Sequence, residues 1–402
     1  MGNLPNKFMR LLNVMARICV VAVLLLPSAG CRGDDMVIPS EQEPVGEIRR
    51  DSSVRGFYLL NEGNMGSNKC SLDYYDYTTG VFSRNIYAER NPNVVKELGD
   101  VGNDLQVYRG RLYAVINCSH KVEVMDAVTG IRVGQLDIPN CRYIRFHDGK
   151  AYVSSYVGPV QINPEAPKGI VYEVDVETLT VTRRVTVGYQ PEEMEIDGGY
   201  LYVANSGGYR APDYDYTVSV VSLESFRQVR RIPVAINLHR IRKDGRGGLW
   251  VTSRGNNGNI PSRLFKLEKS VLTGEYEVAH ELDVPCSNLA IYEDRLYYFA
   301  AGWNNETQSN HVSYGVVDVN TGEVLTTDFI SDGTEKGIAI PYGIAVHPET
   351  GDVFLTDARN YVSSGVLYCF DSNGKKKWSV RTGDIPSCIA FVEKDNGEEE
   401  CR

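Results

Sequence analysis

Short apolar segments centred on an aromatic residue recur along the chain between residues 57 and 356. Each segment has the length and composition of a buried β-strand, and seven of them are present. Neighbouring aromatic centres lie 39 to 57 residues apart. Repeats of about 40 to 50 residues that are rich in short strands are typical of β-propeller blades. The centres are Tyr58, Tyr113, Tyr152, Tyr202, Trp250, Tyr297 and Phe354.

Each repeat after the first has an opening strand before the aromatic one, as at 341–346, and continues after it with an alternating strand, such as 122–126, and a further strand, such as 181–187. This gives four strands per repeat. The first repeat lacks an opening strand, and the apolar segment 385–392 has no repeat after it. Pairing the two would close the ring and leave no open sheet edge. The pattern therefore predicts an all-β fold, a seven-bladed β-propeller of four-stranded blades over residues 55–394, in which a C-terminal strand completes the first blade.

The long connections fall on one face of the predicted disc. Turns between the first and second strands are tight, as at 108–111 and 147–150, whereas the connections between second and third strands are long and polar. Loops held by a rigid scaffold commonly carry binding residues, so we expect a ligand site on this face. The long loops are residues 61–68, 156–168, 205–216, 254–262, 301–312 and 357–364.

Aromatic, amide and guanidinium side chains are frequent in these loops. Aromatic rings offer flat faces, asparagine both donates and accepts hydrogen bonds, and arginine can clamp an anionic or amide-rich group. This combination predicts a large, flat, hydrogen-bonding small molecule or a glycan as the ligand. The candidate ligand-binding residues are Asn61, Glu62, Asn64, Met65, Asn117, Tyr156, Asn205, Tyr209, Tyr214, Arg254, Trp303, Asn304, Arg359 and Tyr361.

An enzyme of the propeller lactonase or lyase type is the alternative. A divalent metal there would need several carboxylates and amides at the ends of corresponding strands. Among the seven residues that follow the second strands only Asp357 is a carboxylate, and Glu62 comes one position later. His239 and His311 lie near the loop face without an evident Ser or Cys nucleophile. We therefore expect a protein without catalytic residues, metal or catalytic cofactor.

Charge and cysteine content exclude further classes. The 402 residues carry a net charge of −10, and no basic stripe interleaved with aromatic residues is present, so a nucleic-acid partner is not expected. Without Cys19 and Cys31, seven cysteines remain, an odd number that excludes a complete disulfide framework. No Cys-x-x-Cys pair occurs, and buried free thiols are expected for most of them.

The N-terminus has the features of an export signal. Basic residues precede an apolar run at 18–26, which is too short to span a bilayer as a helix. Ser28-Ala29-Gly30 followed by Cys31 resembles the bacterial lipobox, with an ordinary secretory peptide as the alternative. We expect a signal peptide over 1–30, lipidation of Cys31, a flexible lipidated tether over 31–54 and a disordered acidic tail over 395–402.

Four loop and strand segments resemble those of the YncE-like β-propeller lipoproteins of gut Bacteroidetes, and within them the surface cobalamin-binding lipoproteins of the BtuG type. They are Leu60-Asn61-Glu62-Gly63-Asn64-Met65-Gly66-Ser67-Asn68, Ala204-Asn205-Ser206-Gly207-Gly208-Tyr209 leading to Asp213-Tyr214-Asp215, Asn237-Leu238-His239-Arg240 and Trp250-Val251-Thr252-Ser253-Arg254-Gly255. The acidic pair Asp34-Asp35 after Cys31 resembles the export signal of such lipoproteins to the outer face of the outer membrane.

This resemblance implies a specific role. It implies that the loop face binds cobalamin (vitamin B12) or a related corrinoid as a ligand rather than a catalytic cofactor. It also implies delivery to a TonB-dependent, BtuB-like outer-membrane transporter, with the membrane contacted through the N-terminal lipid. A glycan-binding module of an outer-membrane import complex stays open as an alternative, and so does a bridge between Cys70 and Cys118 in neighbouring blades.

Overall fold

A computed structural model describes residues 37–256, 258–304 and 309–394, without the side chains of residues 303, 304, 309 and 310. Seven antiparallel sheets form a ring, which confirms the seven-bladed β-propeller. The expected signal peptide 1–30, the lipidation site Cys31 and the acidic tail 395–402 lie outside the described residues. None of the helices in the described ranges has the length and apolar character that crossing a membrane requires.

Blades 1 to 3 occupy the first half of the chain, preceded by one short strand. A five-residue helix, α1 (Ile86–Arg90), links blades 1 and 2. The strands are β1 (Glu41–Pro44); β2 (Val54–Asn61), β3 (Ser71–Asp76) and β4 (Val81–Arg84) of blade 1; β5 (Gly102–Tyr108), β6 (Arg111–Ile116), β7 (Lys121–Asp126) and β8 (Arg132–Asp137) of blade 2; and β9 (Cys141–His147), β10 (Lys150–Ser155), β11 (Lys168–Asp175) and β12 (Thr180–Tyr189) of blade 3.

Blades 4 to 7 follow in the same order, with 3₁₀ turns at Gly208–Arg210 and Thr334–Gly337. Their strands are β13 (Pro191–Asp197), β14 (Tyr200–Asn205), β15 (Thr217–Ser222) and β16 (Arg227–Pro233); β17 (Leu238–Lys243), β18 (Leu249–Ser253), β19 (Arg263–Lys269) and β20 (Tyr276–Leu282); β21 (Asn288–Tyr292), β22 (Arg295–Asn304), β23 (Ser309–Asp318) and β24 (Val324–Thr326); β25 (Pro341–Val346), β26 (Val353–Asp357), β27 (Ser364–Phe370) and β28 (Lys376–Asp384); and finally β29 (Pro386–Glu393).

The last strand of the chain closes the ring, as predicted. β29 pairs antiparallel with β2, with Leu59 opposite Ile389, and so becomes the first strand of blade 1. The first strands of the seven blades then contact one another in succession around the axis. Gly343 shows how closely they approach, because a Cβ there would lie 2.2 Å from the carbonyl oxygen of Ser387. Only glycine fits between β25 and β29 at this point.

The expected tether over 31–54 is wrong for the part from residue 41 onward. β1 pairs with β4 and makes the sheet of blade 1 five-stranded. Beyond it, Arg49 pairs with Asp352, and Glu47 accepts hydrogen bonds from Lys377 and Trp378. Edge strands have unpaired backbone groups, and an adjacent segment can satisfy them. This segment therefore fastens the outer edge of blade 1 to blade 7.

The core lies between the blades. Second strands are buried on both faces because a blade packs on each side, which explains why they appear in the sequence as continuous apolar segments. The aromatic centres Tyr58, Trp250 and Phe354 have no exposed surface. Between blades 7 and 1, the rings of Phe57 and Phe354 pack edge to face with centroids 5.1 Å apart. The repeated aromatic residue is thus a packing residue rather than a ligand contact.

All six cysteines in the described residues are free. Four of them are buried, as expected for thiols that pack as small hydrophobic groups. Cys70 and Cys118 lie in neighbouring blades but are not joined. The bridge left open by the sequence is therefore absent from the structure.

Candidate ligand-binding cavity

A cavity of about 1110 Å³ lies on the long-loop face, where the first strands of the blades converge. Pockets for drug-sized ligands are commonly about 300 to 1,000 Å³, so this one has room for a larger molecule. The first strands contribute Asn103, Arg142, Tyr143, His239, Arg240, Asn288, Pro341, Tyr342 and Ser387. Loops, links and the β22–β23 hairpin contribute residues that include Glu62, Asn237, Arg254, Ile260, Ser287, Phe299, His311 and Tyr361.

A β-bulge near the start of six of the seven first strands sets the lining. In β9 the ladder skips Arg142 and Tyr143 between the paired residues Cys141 and Ile144. A bulge bends the strand and re-aims its side chains. The other skipped residues are Asn103 in β5, Glu192 and Glu193 in β13, His239 and Arg240 in β17, Tyr342 and Gly343 in β25, and Ser387 in β29.

Glu192 organises two of the three arginines that line the cavity. Its carboxylate is fully buried and lies 3.1 Å from Nη2 of Arg142 and 3.2 Å from Nη1 of Arg254. Tyr156 and Ser206 donate further hydrogen bonds to it. Burial alone would raise the pKa of Glu192, but the charges of Arg142 and Arg254 and these hydrogen bonds hold it below its usual value. The carboxylate therefore stays ionised and fixes both guanidinium groups.

A second carboxylate, Glu193, holds the adjacent arginines. It accepts a hydrogen bond of 2.6 Å from Arg145 and one of 3.1 Å from the backbone N–H of Ile241. Arg242 lies 2.9 Å from the same carboxylate. Two consecutive buried glutamates, both in the bulge of β13, therefore pair with the arginines around this strand.

Tyr143 and His239 form a neutral pair in the cavity wall. The tyrosine oxygen and Nε2 of the histidine are 2.9 Å apart. Burial, followed by the charges of Arg254, Arg240 and Arg142, lowers the pKa of His239 well below its usual value. Burial also raises the pKa of Tyr143 to about 12. Neither group carries charge at neutral pH.

Glu62 and two tyrosines form another part of the wall. The hydroxyl of Tyr342 donates a hydrogen bond of 2.6 Å to Glu62, and its ring packs edge to face against Tyr361. Loss of water around Glu62 raises the pKa of its carboxyl, despite the hydrogen bond from Tyr342 and the charges of the three arginines. The two rings supply the flat apolar surface that the sequence predicted, although Tyr342 was not among the candidates.

The structure divides the fourteen sequence-predicted residues into groups. Glu62, Arg254 and Tyr361 line the cavity. Tyr156 lies behind the lining, where it supports Glu192 and packs against Tyr209. Asn64, Met65, Tyr209, Tyr214 and Arg359 belong to the surrounding loops and are not part of the lining. Trp303 and Asn304 end β22, but their side chains lie outside the described residues.

Asn61, Asn117 and Asn205 are corrections. Each is buried and stabilises the fold from within. Asn117 donates to the carbonyl oxygen of Cys141 at 2.9 Å, Asn205 donates to the carbonyl oxygen of Thr217 at 2.9 Å, and Asn61 donates to Ser71. A buried amide at the end of a second strand satisfies backbone acceptors where the ladder stops. These asparagines therefore hold the loops rather than a ligand.

The family model for a domain of unknown function, DUF5074, matches residues 55–385. The chain belongs to the DUF5074 family. The match covers the propeller from β2 to the end of blade 7, and so includes most of the cavity lining. No curated protein matches the sequence significantly.

Solved structures share the fold of this DUF5074 chain at low identity. A quinonprotein alcohol dehydrogenase-like protein from Bacteroides thetaiotaomicron is 14% identical with a TM-score of 0.59, over 85% of this chain and 79% of that chain. The periplasmic gluconolactonase PpgL of Pseudomonas aeruginosa is 14% identical with a TM-score of 0.56, over 84% and 99%. A hypothetical selenium-binding protein from Sulfolobus tokodaii is 9% identical with a TM-score of 0.61, over 84% and 94%. These similarities show the fold alone.

Sequence reasoning missed Arg142, Tyr143, Glu192, Arg240 and Tyr342 in this DUF5074 chain. A signal for them exists. Where an alternating strand would space apolar residues by two, four of the first strands open with apolar pairs spaced by three, and the two bulged residues stand between them. The pairs are Cys141 and Ile144, Pro191 and Met194, Leu238 and Ile241, and Pro341 and Ile344. Within the described residues no group of three or more His, Cys, Asp or Glu could hold a metal ion.

Proposed function

We propose that this protein is a non-enzymatic binder of cobalamin or a related corrinoid. One observation carries the proposal: a cavity of about 1110 Å³ on the long-loop face is lined by aromatic rings, amides and three arginines. A corrin is a large, flat ring edged with amide groups, so it needs both apolar surface and many hydrogen-bonding partners. Ligand pockets are mostly apolar with a few placed polar groups.

The lining supplies both kinds of contact. Tyr143, Tyr342, Tyr361 and Phe299 offer ring surface. The polar side chains Asn103, Asn237, Asn288, Ser287 and Ser387 can donate to or accept from amides. Glu192, Glu193 and their arginine partners fix much of this lining before a ligand arrives, and such preorganisation reduces the entropy lost on binding.

The proposal includes a place of action. In it the protein is held on the outer face of the outer membrane by a lipid on Cys31 and passes its ligand to a TonB-dependent, BtuB-like transporter. The lipobox-like sequence Ser28-Ala29-Gly30-Cys31 and the acidic pair after it support this part. The cavity opens on the face that carries the long loops, which is the face a docking transporter would need to reach.

Isothermal titration of the purified protein without residues 1–31 tests the binding. Cyanocobalamin and cobinamide are titrated in turn into the wild type, Tyr361→Ala and Tyr214→Ala. The proposal expects saturable binding to the wild type, weaker binding to Tyr361→Ala and unchanged binding to Tyr214→Ala, because only Tyr361 lines the cavity. Absence of heat with both corrinoids up to high micromolar concentration would reject it and direct attention to glycans and lactones.

Lactone hydrolysis is the second candidate, favoured by one observation. His239 is neutral and lies in a cavity with three arginines, so it could accept a proton from an attacking water. The same arginines oppose its protonation, which makes it a weak base and leaves ligand binding the better-supported function. Turnover on a panel of lactones that is lost in His239→Gln would favour the enzyme.

A further inference from the structure

Arg240 differs from Arg142 and Arg254 because, within the described residues, its guanidinium donates no hydrogen bond to a carboxylate. The nearest carboxylate oxygen recorded for it belongs to Glu193, 4.0 Å from its Nη1. The carboxylate of Glu193 already contacts Arg145, Arg242 and the backbone N–H of Ile241 at distances of 3.1 Å or less. The Nε of Arg240 is buried and has no hydrogen-bond partner among the described residues. The guanidinium of Arg240 therefore keeps N–H donors that a ligand anion can use.

The guanidinium of Arg240 is nevertheless held in place. Only 11% of its side chain is exposed, and its charge lies over the ring of Tyr143, 5.3 Å from the centroid. A cation–π contact of this kind orients a guanidinium without neutralising it. The cavity therefore presents a positioned guanidinium whose nearest carboxylate, that of Glu193, lies 4.0 Å away.

The charges around Arg240 also favour binding of an anion. Arg142, Arg240 and Arg254 all act on the pKa of His239, and all three act on that of Glu62, which shows that their fields overlap in one space. Glu192 balances one of these three charges. Glu62 resists ionisation because of its burial. The cavity is thus electropositive inside a chain whose net charge is −10.

We propose that the cavity contains an oxyanion subsite in which Arg240 pairs with a phosphate or carboxylate group of the ligand. Oxyanions bind guanidinium through charge-assisted hydrogen bonds, often two at once. The inference rests on the proposed function only in assuming that the ligand enters this cavity. If the ligand is cobalamin, the group that pairs with Arg240 is the phosphodiester of its nucleotide loop, which cobinamide lacks.

The test uses small anions and a matched pair of variants. Dimethyl phosphate and acetate are titrated separately into wild type, Arg240→Gln and Arg359→Gln, the last being an exposed loop arginine outside the lining. Binding is followed by calorimetry, and by phosphorus NMR line width for the phosphate. We expect at least one anion to bind the wild type and Arg359→Gln equally, and Arg240→Gln to bind about tenfold more weakly.

Thermal unfolding separates a binding role from a structural one. Because the Arg240 guanidinium lies 4.0 Å from its nearest carboxylate and forms no hydrogen bond with it, Arg240→Gln is expected to melt close to the wild-type temperature. A clear drop in its melting temperature would mark Arg240 as a structural residue and overturn the subsite. Equal anion binding by Arg240→Gln and wild type would also overturn it.

The corrinoid titrations distinguish this proposal from the function on which it rests. Cyanocobalamin binding without any response to dimethyl phosphate or acetate would reject the subsite and leave the proposed function standing. Anion binding that depends on Arg240, with no binding of either corrinoid, would keep the subsite and reject the corrinoid. Where both hold, Arg240→Gln should weaken cyanocobalamin more than cobinamide.

Discussion

Among the side chains at the start of the first strands, Glu192 has a mainly structural role. It is fully buried and forms ion pairs with both Arg142 and Arg254. Without its charge these guanidinium groups would stay in the cavity wall with no counter-ion. Removing one partner of a buried ion pair is strongly destabilising because the other charge is left without compensation.

Glu192→Gln should therefore lower the free energy of unfolding by about 3 kcal/mol, measured by urea denaturation at pH 7. The matched control is Glu177→Gln, since Glu177 pairs with Arg111 at the surface and should lose less than about 1 kcal/mol. A loss no larger than that of the control would contradict the role given to Glu192.

The difference in stability between wild type and Glu192→Gln should depend on pH. The pKa of Glu192 is depressed in the folded state relative to its ordinary value of 4.5. Its stabilisation is therefore complete above pH 4.5 and is lost as the pH falls through the folded-state pKa. The difference in unfolding free energy between wild type and Glu192→Gln should shrink as the pH is lowered below 4.5.

At the scale of elements, the β-bulges decide which residues reach the cavity. A regular strand would alternate its side chains between two faces, whereas in β13 the ladder skips both Glu192 and Glu193 against one residue of β14. The bulge removes this restriction in six first strands, and β21 stays regular. Binding chemistry is thus concentrated in a few irregular positions of an otherwise regular sheet.

The N-terminal segment is the other element that the repeat does not explain. Glu47 accepts hydrogen bonds from Arg49, Lys377 and Trp378, and these oppose the rise in its pKa that burial would cause and bring the pKa below its usual value. Its carboxylate therefore joins the N-terminal segment to β28 of blade 7.

Glu47→Gln should lower the unfolding free energy by roughly 2 kcal/mol, because hydrogen bonds to charged groups contribute about that much. Glu41→Gln serves as the control, since Glu41 lies in β1 with 73% of its side chain exposed and pairs only at the surface. Equal unfolding midpoints for the two variants would show that the segment does not fasten blade 7.

At the scale of the whole molecule, the repeat was sufficient to predict the ring. Apolar strands around Tyr58, Trp250 and Phe354 recur because every blade packs between two others. Each of the seven blades therefore needs the same kind of buried apolar strand, and the sequence shows it seven times. Closure through β29 was predictable because the first repeat lacks an opening strand and the apolar segment 385–392 has no repeat after it. The long-loop face also followed from the lengths of the connections.

The candidate site was less predictable because it is formed by residues from several blades that come together only in the folded ring. Residues as distant in sequence as Glu62 and Tyr342 meet only once the ring has closed. Loop position identified Glu62, Arg254 and Tyr361, but it also selected the buried amides of Asn117 and Asn205, which polar composition cannot distinguish from ligand contacts. The bulged residues were missed because they lie in strands that otherwise belong to the core.

The central claim is that a large ligand occupies the axial cavity. Gly302 lines it, and a Cβ at this residue would meet no atom within 4 Å, so Gly302→Trp can add an indole to the lining without disturbing the strand. Gly245 is equally open but lies in the turn between β17 and β18 on the opposite face, and Gly245→Trp is the control.

The decisive measurement is calorimetric titration of cyanocobalamin into wild type, Gly302→Trp and Gly245→Trp. We predict that Gly302→Trp loses binding by at least about tenfold, because a ligand and the indole cannot share the cavity, while Gly245→Trp binds like the wild type. Cyanocobalamin binding of undiminished affinity to Gly302→Trp, or none to the wild type, would contradict the account.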